Sequence, residues 1–257
     1  MGSHGKSTPR LALIGGTGLD AITGFEPLTD AAPVTAFGPA SAPLASGRLG
    51  GLPVLFLARH GTAHSIPPHA INYRANIAAL REAGATHVVA VAAVGGIGPN
   101  CGAGALVVPD QLIDYTWGRE HAFASTVLAP DSHFDFTEPY CAELRAALLA
   151  AGAAAGVALV DGGVYGATQG PRLETAAEIR RLARDGCDLV GMTGMPEAAL
   201  AREAGLCYAT LAVVSNRAAG LGGEITMDEI HGVLASAMHT AGRVLEALGQ
   251  GWRRKGL

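Results

Sequence analysis

Three strand-like ends in this chain carry side chains suited to an oxyanion. Arg59-His60-Gly61 closes an apolar run, and an Arg beside a His there can meet an anion through charge-assisted, even bidentate, hydrogen bonds. Gly15-Gly16-Thr17-Gly18 follows an earlier apolar run. Successive backbone N–H groups in such a loop form an anion-binding concavity, to which Thr17 adds a hydroxyl. Thr193-Gly194-Met195-Pro196-Glu197 has the make-up of a helix start, and a bare helix N-terminus is itself an anion site. Each stretch also has a plainer reading: structural capping for the first, a simple turn for the second and a helix cap for the third. Two further polar residues stand near these. Glu174 opens a helical stretch, where the helix dipole stabilises a carboxylate whatever its function. Asn216 ends an apolar strand before a Gly-rich loop, where turn formation would explain it.

Other chemistries fit less of the pattern. Gly16-x-Gly18-x-x-Ala21 follows a strand as a dinucleotide fingerprint does, but residues 31–40 hold no acid to meet a ribose. His60, His64 and His69 fall within ten residues. Gly61 and Pro67-Pro68 keep His60 and His64 off a shared helical face and no carboxylate is nearby, so no metal is expected. Cys101, Cys141, Cys187 and Cys207 are widely spaced without a C-x-x-C pair, so neither zinc nor a disulfide framework is expected, and a reducing cytoplasm fits.

The elements that must position these residues follow from periodicity. Apolar, β-branched runs predict strands over 11–14, 54–58, 87–93, 157–160, 188–190 and 208–214, and amphipathic stretches predict helices over 72–83, 138–150, 174–184, 196–204 and 227–248. Their alternation indicates an α/β fold with a largely parallel or mixed sheet flanked by helices. In such folds ligands collect at strand ends, where the polar and Gly-rich residues of this chain fall. With 257 residues, 49% hydrophobic and 16% charged, one domain with a large core is the expectation. Its span is 10–250, with 1–9 read as a disordered N-terminus or cloning remnant and 251–257 as a basic C-terminal tail. The formal net charge of −4 gives a polyanion no general attraction, so nucleic acid is not an expected partner. No segment is long and apolar enough to suggest a membrane span.

The order of these motifs resembles the trimeric purine nucleoside phosphorylase and methylthioadenosine phosphorylase family over nearly the whole chain. The likeness is carried by Gly16-Thr17-Gly18, Arg59-His60, residues 72–77, Ala92-Ala93-Val94-Gly95, Gly170-Pro171 with Glu174-Thr175, Met192-Thr193 with Pro196-Glu197, and Asn216. It implies a mixed, twisted sheet distorted towards a barrel, and phosphorolysis of a purine N-glycosidic bond with inorganic phosphate as co-substrate and no metal or organic cofactor. It implies phosphate contacts from Thr17, Arg59, His60, Ala92, Ala93 and Thr193, with His60 and Asn216 as catalytic residues. Glu174, Met192, Asn216, Ala218 and Met227 are the implied nucleoside contacts, and His133 would arrive from a neighbour in a homotrimer. Asn216 with Glu174 matches members acting on 6-oxopurines. Met227, aligned where those enzymes carry a His for the ribose 5′-hydroxyl, resembles methylthio-specific members; His231, four residues on, is the alternative polar contact. A hydrolase using water, or a nucleoside-binding module without activity, would leave the anion-binding set or the Glu174/Asn216 pair without a purpose.

Overall fold

A computed structural model describes residues 10–16, 26–27, 32–124 and 133–254. In chain order the strands are β1 (Leu11–Gly15), β2 (Glu26–Pro27), β3 (Val34–Thr35), β4 (Gly38–Pro39), β5 (Ala45–Leu49), β6 (Leu52–Ala58), β7 (His87–Gly96), β8 (Leu106–Val108), β9 (Gln111–Asp114), β10 (Val160–Asp161), β11 (Val164–Ala167), β12 (Leu189–Gly191) and β13 (Cys207–Arg217). The helices are α1 (Tyr73–Glu82), α2 (Ala142–Ala155), α3 (Ala176–Arg184), α4 (Gly194–Glu203) and α5 (Met227–Arg254).

All strands but β3 and β4, which form a separate pair, join one mixed sheet. Its centre is parallel: β1 lies between β6 and β7, and β7 also pairs with β13. These strands are apolar without polar alternation because both faces are covered. Ala12 and Ile14 of β1 point into a core shared with Ile77 and Leu80 of α1 and Leu200 of α4. Leu11 and Leu13 point the other way, towards Leu144 and Leu148 of α2 and Val244 and Leu248 of α5.

The expected barrel-like distortion takes the form of a branch. At its C-terminal end β7 keeps its parallel partner β13 and adds β12, antiparallel, through Gly95↔Val190 and Gly96↔Leu189. Gly96 has to be glycine, because a Cβ there would collide with the Cys101 carbonyl. β12 in turn holds β11, and β11 holds β9.

Several expectations need correction. Helix α2 starts at Ala142 and not Glu138: the residue before Pro139 is steered from helical geometry, and Cys141 is still extended. Helix α5 continues to Arg254, with Trp252 buried against the His87 ring, so the expected basic tail is helix to that point. The cysteines do form one disulfide, Cys141–Cys207, with Cα atoms 5.2 Å apart. Spacing could not reveal it, since the two meet only when the residue before α2 bonds to the start of β13, Cys141 N–H to the Tyr208 carbonyl. Cys101 and Cys187 are free and buried. No helix among the described residues is long and apolar enough to cross a membrane.

Candidate active site

A cavity of about 560 Å³ opens at the C-terminal ends of β1, β6, β7, β12 and β13. It gathers Arg59, His60, Ala92, Ala93 and Thr193 of the expected phosphate set. It also gathers Glu174, Met192, Asn216, Ala218 and Met227 of the expected nucleoside set. Thr17 lies outside the described residues. His133 is exposed and does not line this cavity in a single chain.

Arg59 continues from β6 into the interior and is 1% exposed. Its Nε and Nη2 donate to Glu197 Oε2 and Oε1 at 2.6 and 2.9 Å, and Nη1 donates to the Val91 carbonyl at 3.2 Å. The bidentate face expected to meet an anion is therefore taken by Glu197, and Nη1 is the part near the cavity loop: a Cβ on Gly16 would stand 3.8 Å from it. Burial alone disfavours the guanidinium charge, but Glu197 more than offsets it, so Arg59 stays protonated. Glu197 also accepts from the Tyr208 hydroxyl at 2.8 Å.

His60 sits beside Arg59, with Nδ1 2.8 Å from the Ile66 carbonyl and its ring 4.6 Å from that of His64. Burial, then the Arg59 charge, lower its pKa to about 4, so the imidazole is neutral near pH 7. Thr193 directly precedes α4 but makes no capping bond with its side chain, and Met195 is not helical (φ −122°, ψ 140°). The plain capping role is thus unfilled; Thr193 N–H donates to the Tyr165 hydroxyl at 3.4 Å, and the residue lines the cavity.

Glu174 was expected within a helix. Thr175 is instead the N-cap of α3, closed by a reciprocal pair of bonds with Glu178, which leaves Glu174 just outside, bonded from the Thr168 hydroxyl at 2.7 Å. Thr168 N–H in turn donates to the Gly191 carbonyl, tying Glu174 to the end of β12. Asn216 follows a bulge in the β13–β7 pairing and stands opposite Gly95. Its Oδ1 accepts from Ser215 Oγ at 2.6 Å and its Nδ2 donates to the Arg217 carbonyl at 2.8 Å. That fixes which end of the amide is which, and leaves one lone pair and one N–H for a ligand. Ile225, Met227, Ile230, Leu234 and Met238 form an apolar wall, with His231 among them. Met227 is 58% exposed.

Sequence reading missed two structural partners of this site. Glu197 was taken only as a first-turn acid. A fully buried carboxylate must be paired, and its apolar setting in Pro196 to Ala201 was the available signal. Arg119 lies in an irregular segment with no periodicity to mark it. Its guanidinium donates to the Met192, Met195, Thr168 and Gln169 carbonyls and to the Tyr73 hydroxyl at 2.6–3.2 Å, bracing both the Met192-Thr193 turn and the strand end that leads to Glu174.

The profile of the phosphorylase superfamily matches residues 10–249. The chain belongs to this superfamily. Among similar phosphorylases, a protein of Xanthomonas campestris pv. campestris named probable S-methyl-5′-thioinosine phosphorylase is 56% identical, covering 86% of this chain and 89% of that one. The 6-oxopurine nucleoside phosphorylase of Pyrococcus furiosus is 45% identical over 86% of this chain and 85% of its own length. The structure of methylthioadenosine phosphorylase from Schistosoma mansoni in complex with adenine superposes with a TM-score of 0.86 at 32% identity, covering 93% and 91% of the two chains. As a phosphorylase, the chain has the mixed α/β architecture of its structural neighbours.

Proposed function

We propose that this phosphorylase cleaves the N-glycosidic bond of a 6-oxopurine nucleoside, S-methyl-5′-thioinosine foremost, giving hypoxanthine and 5-methylthioribose 1-phosphate in purine salvage. The observation that carries the reading is one cavity in which Glu174 and Asn216 share space with the apolar wall of α5. An Asn amide can donate to O6 and accept from N7–H, while a carboxylate can accept the N1–H of hypoxanthine. Adenine presents a lone pair at N1, and a buried mismatch of that kind costs about 1–3 kcal/mol. A methylthio group gains by burial against Met227, where a 5′-hydroxyl would lose water without a partner.

In the reaction the C1′–N9 bond breaks with its electron pair passing into the purine, and a phosphate oxygen bonds to C1′. Carbohydrate cleavage of this kind passes through an oxocarbenium-like state, so the enzyme must hold the anion against a positive carbon and stabilise charge on the departing base. Thr17, Arg59, His60, the Ala92-Ala93 backbone and Thr193 serve the first task, Met192 supports the ribose, and Asn216 serves the second by stabilising a protonated N7. Ala218, buried beside Gly95, packs on the base. Phosphate is the co-substrate, with no organic cofactor or metal. A homotrimer would bring His133 of a neighbour to the 5′ end, and the cytoplasm is the proposed setting.

His231 in the same wall supports a second reading, a general inosine and guanosine phosphorylase in which it bonds the 5′-hydroxyl. The deciding experiment is base release from a panel of nucleosides with and without phosphate. Methylthioinosine should lead and should need phosphate, and Arg59→Ala should raise the phosphate requirement strongly. Equal turnover without phosphate would point to a hydrolase.

A further inference from the structure

His60 is held so that the polarity of its ring is fixed. The atom 2.8 Å from Nδ1 is the Ile66 carbonyl oxygen, which can only accept, so Nδ1 must carry a proton. A neutral ring then has a bare lone pair at Nε2. That nitrogen lies on the cavity side, where a Cβ on Gly16 would come within 3.4 Å of it, and among the described residues it has no hydrogen-bond partner.

We propose that His60 meets the anion as a hydrogen-bond acceptor through Nε2, so that the site selects a tetrahedral oxyanion still carrying a proton over one that carries none. The inference rests on the phosphorolytic reading above and adds to it the ionic form of the co-substrate. Hydrogen phosphate offers a P–O–H to the bare nitrogen. Sulfate, of like shape and charge, would set an oxygen lone pair against the Nε2 lone pair and leave both unpaired, which is the costly way to bury polar groups.

The groups facing the ring agree with a neutral imidazole. Arg59 presses a positive charge on it from the same strand end, and His64 lies against its face. Glu197 in α4 acts the other way, favouring a charged ring, but its influence is the smallest of these and its charge is engaged by Arg59 and Tyr208. Burial acts in the same direction as Arg59, so protonation of the free enzyme's ring belongs well below neutrality.

The test uses the intact enzyme and follows hypoxanthine release at mildly alkaline pH, where phosphate and arsenate keep one proton and sulfate keeps none. Sulfate should compete with phosphate at least about tenfold more weakly than phosphate binds, a ratio worth about 1.4 kcal/mol, whereas arsenate should support base release at concentrations comparable to phosphate. As pH falls towards the ring's own titration, Nε2 gains a proton and sulfate should gain affinity relative to phosphate. His60→Gln, whose amide can turn an N–H to the anion, should narrow the phosphate-to-sulfate ratio to within about threefold. Sulfate binding as tightly as phosphate in the unaltered enzyme would overturn the proposal while leaving phosphorolysis intact, and so would a ratio unmoved in a folded His60→Gln enzyme. Base release indifferent to every anion would instead remove the phosphorolytic reading, and this inference with it.

Discussion

Glu197 and Arg59 meet through two parallel hydrogen bonds inside the protein, with side chains 0% and 1% exposed. A buried pair of this kind contributes little net stability compared with apolar packing, but removing one member strands a charge. Glu197→Ala should therefore cost about 3–5 kcal/mol in denaturant unfolding and raise the KM for phosphate, because Arg59 loses the partner that aims it. Unchanged phosphate KM in a folded Glu197 variant would detach this pair from anion binding.

For the base, Asn216→Asp should narrow or reverse the preference for hypoxanthine over adenine nucleosides, by about 1–3 kcal/mol in relative specificity constant. The substitution also sets a carboxylate oxygen against the Arg217 carbonyl that Asn216 Nδ2 meets, so the readout is the ratio between the two substrates and not the absolute rate. An unaltered enzyme that cleaves the adenine compound faster at equal concentration would refute the donor and acceptor assignment.

At the 5′ end, methylthioinosine should exceed inosine by at least about tenfold in kcat/KM, and Met227→His should shift preference towards inosine. His133→Ala should weaken discrimination only in the assembled oligomer, since that residue stands outside the single-chain cavity. Comparable constants for both substrates, unmoved by Met227→His, would transfer the role to His231.

Arg119 braces two arms of the site at once, so Arg119→Ala should lower kcat/KM by about 1–3 kcal/mol, the cost of leaving partly buried carbonyls unpaired. Arg119→Lys, a point charge without the planar fork, should recover only part of it. Full activity in Arg119→Ala would mean that the turn at Met192 holds its shape unaided.

The pH dependence has a definite sign. His60 titrates at about 4 in the folded chain against 6.5 for a free side chain, so the stability due to its neutral form is present above pH 6.5 and is lost as pH falls through the folded value. His87, lowered chiefly by burial, acts in the same sense. Thermal midpoints should drop across that window, less steeply in His60→Gln. A flat profile there would contradict a neutral buried imidazole.

Much of this was legible in the chain because the central strands are long, apolar and covered on both faces; those at 11–14, 54–58, 87–93 and 208–214 all lie within observed strands. The strands that escaped notice, β2, β3, β4, β5, β8, β9 and β11, are short, and β5 (Ala-Ser-Gly-Arg-Leu) and β11 (Val-Tyr-Gly-Ala) carry glycine where a periodic signal would stand. At the site, the cavity-lining side chains were readable because strand ends announce them. Glu197 and Arg119 were not, since their importance lies in partners 138 residues away for one and in backbone carbonyls for the other.

Helices α2, α3 and α4 with β10, β11 and β12 all lie between Cys141 and Cys207, and so do Glu174, Met192, Thr193 and Glu197. The bond between those cysteines turns this stretch into a covalent ring, and closing a loop with a sequence separation of 66 removes about 4 kcal/mol of freedom from the unfolded chain. Asn216 and Arg59 stand outside the ring, and Arg59 reaches into it to pair with Glu197. Reduction of that bond would open the ring, so that a thiol reagent, as well as heat or acid, becomes a variable in how much of this phosphorylase keeps that wall ordered.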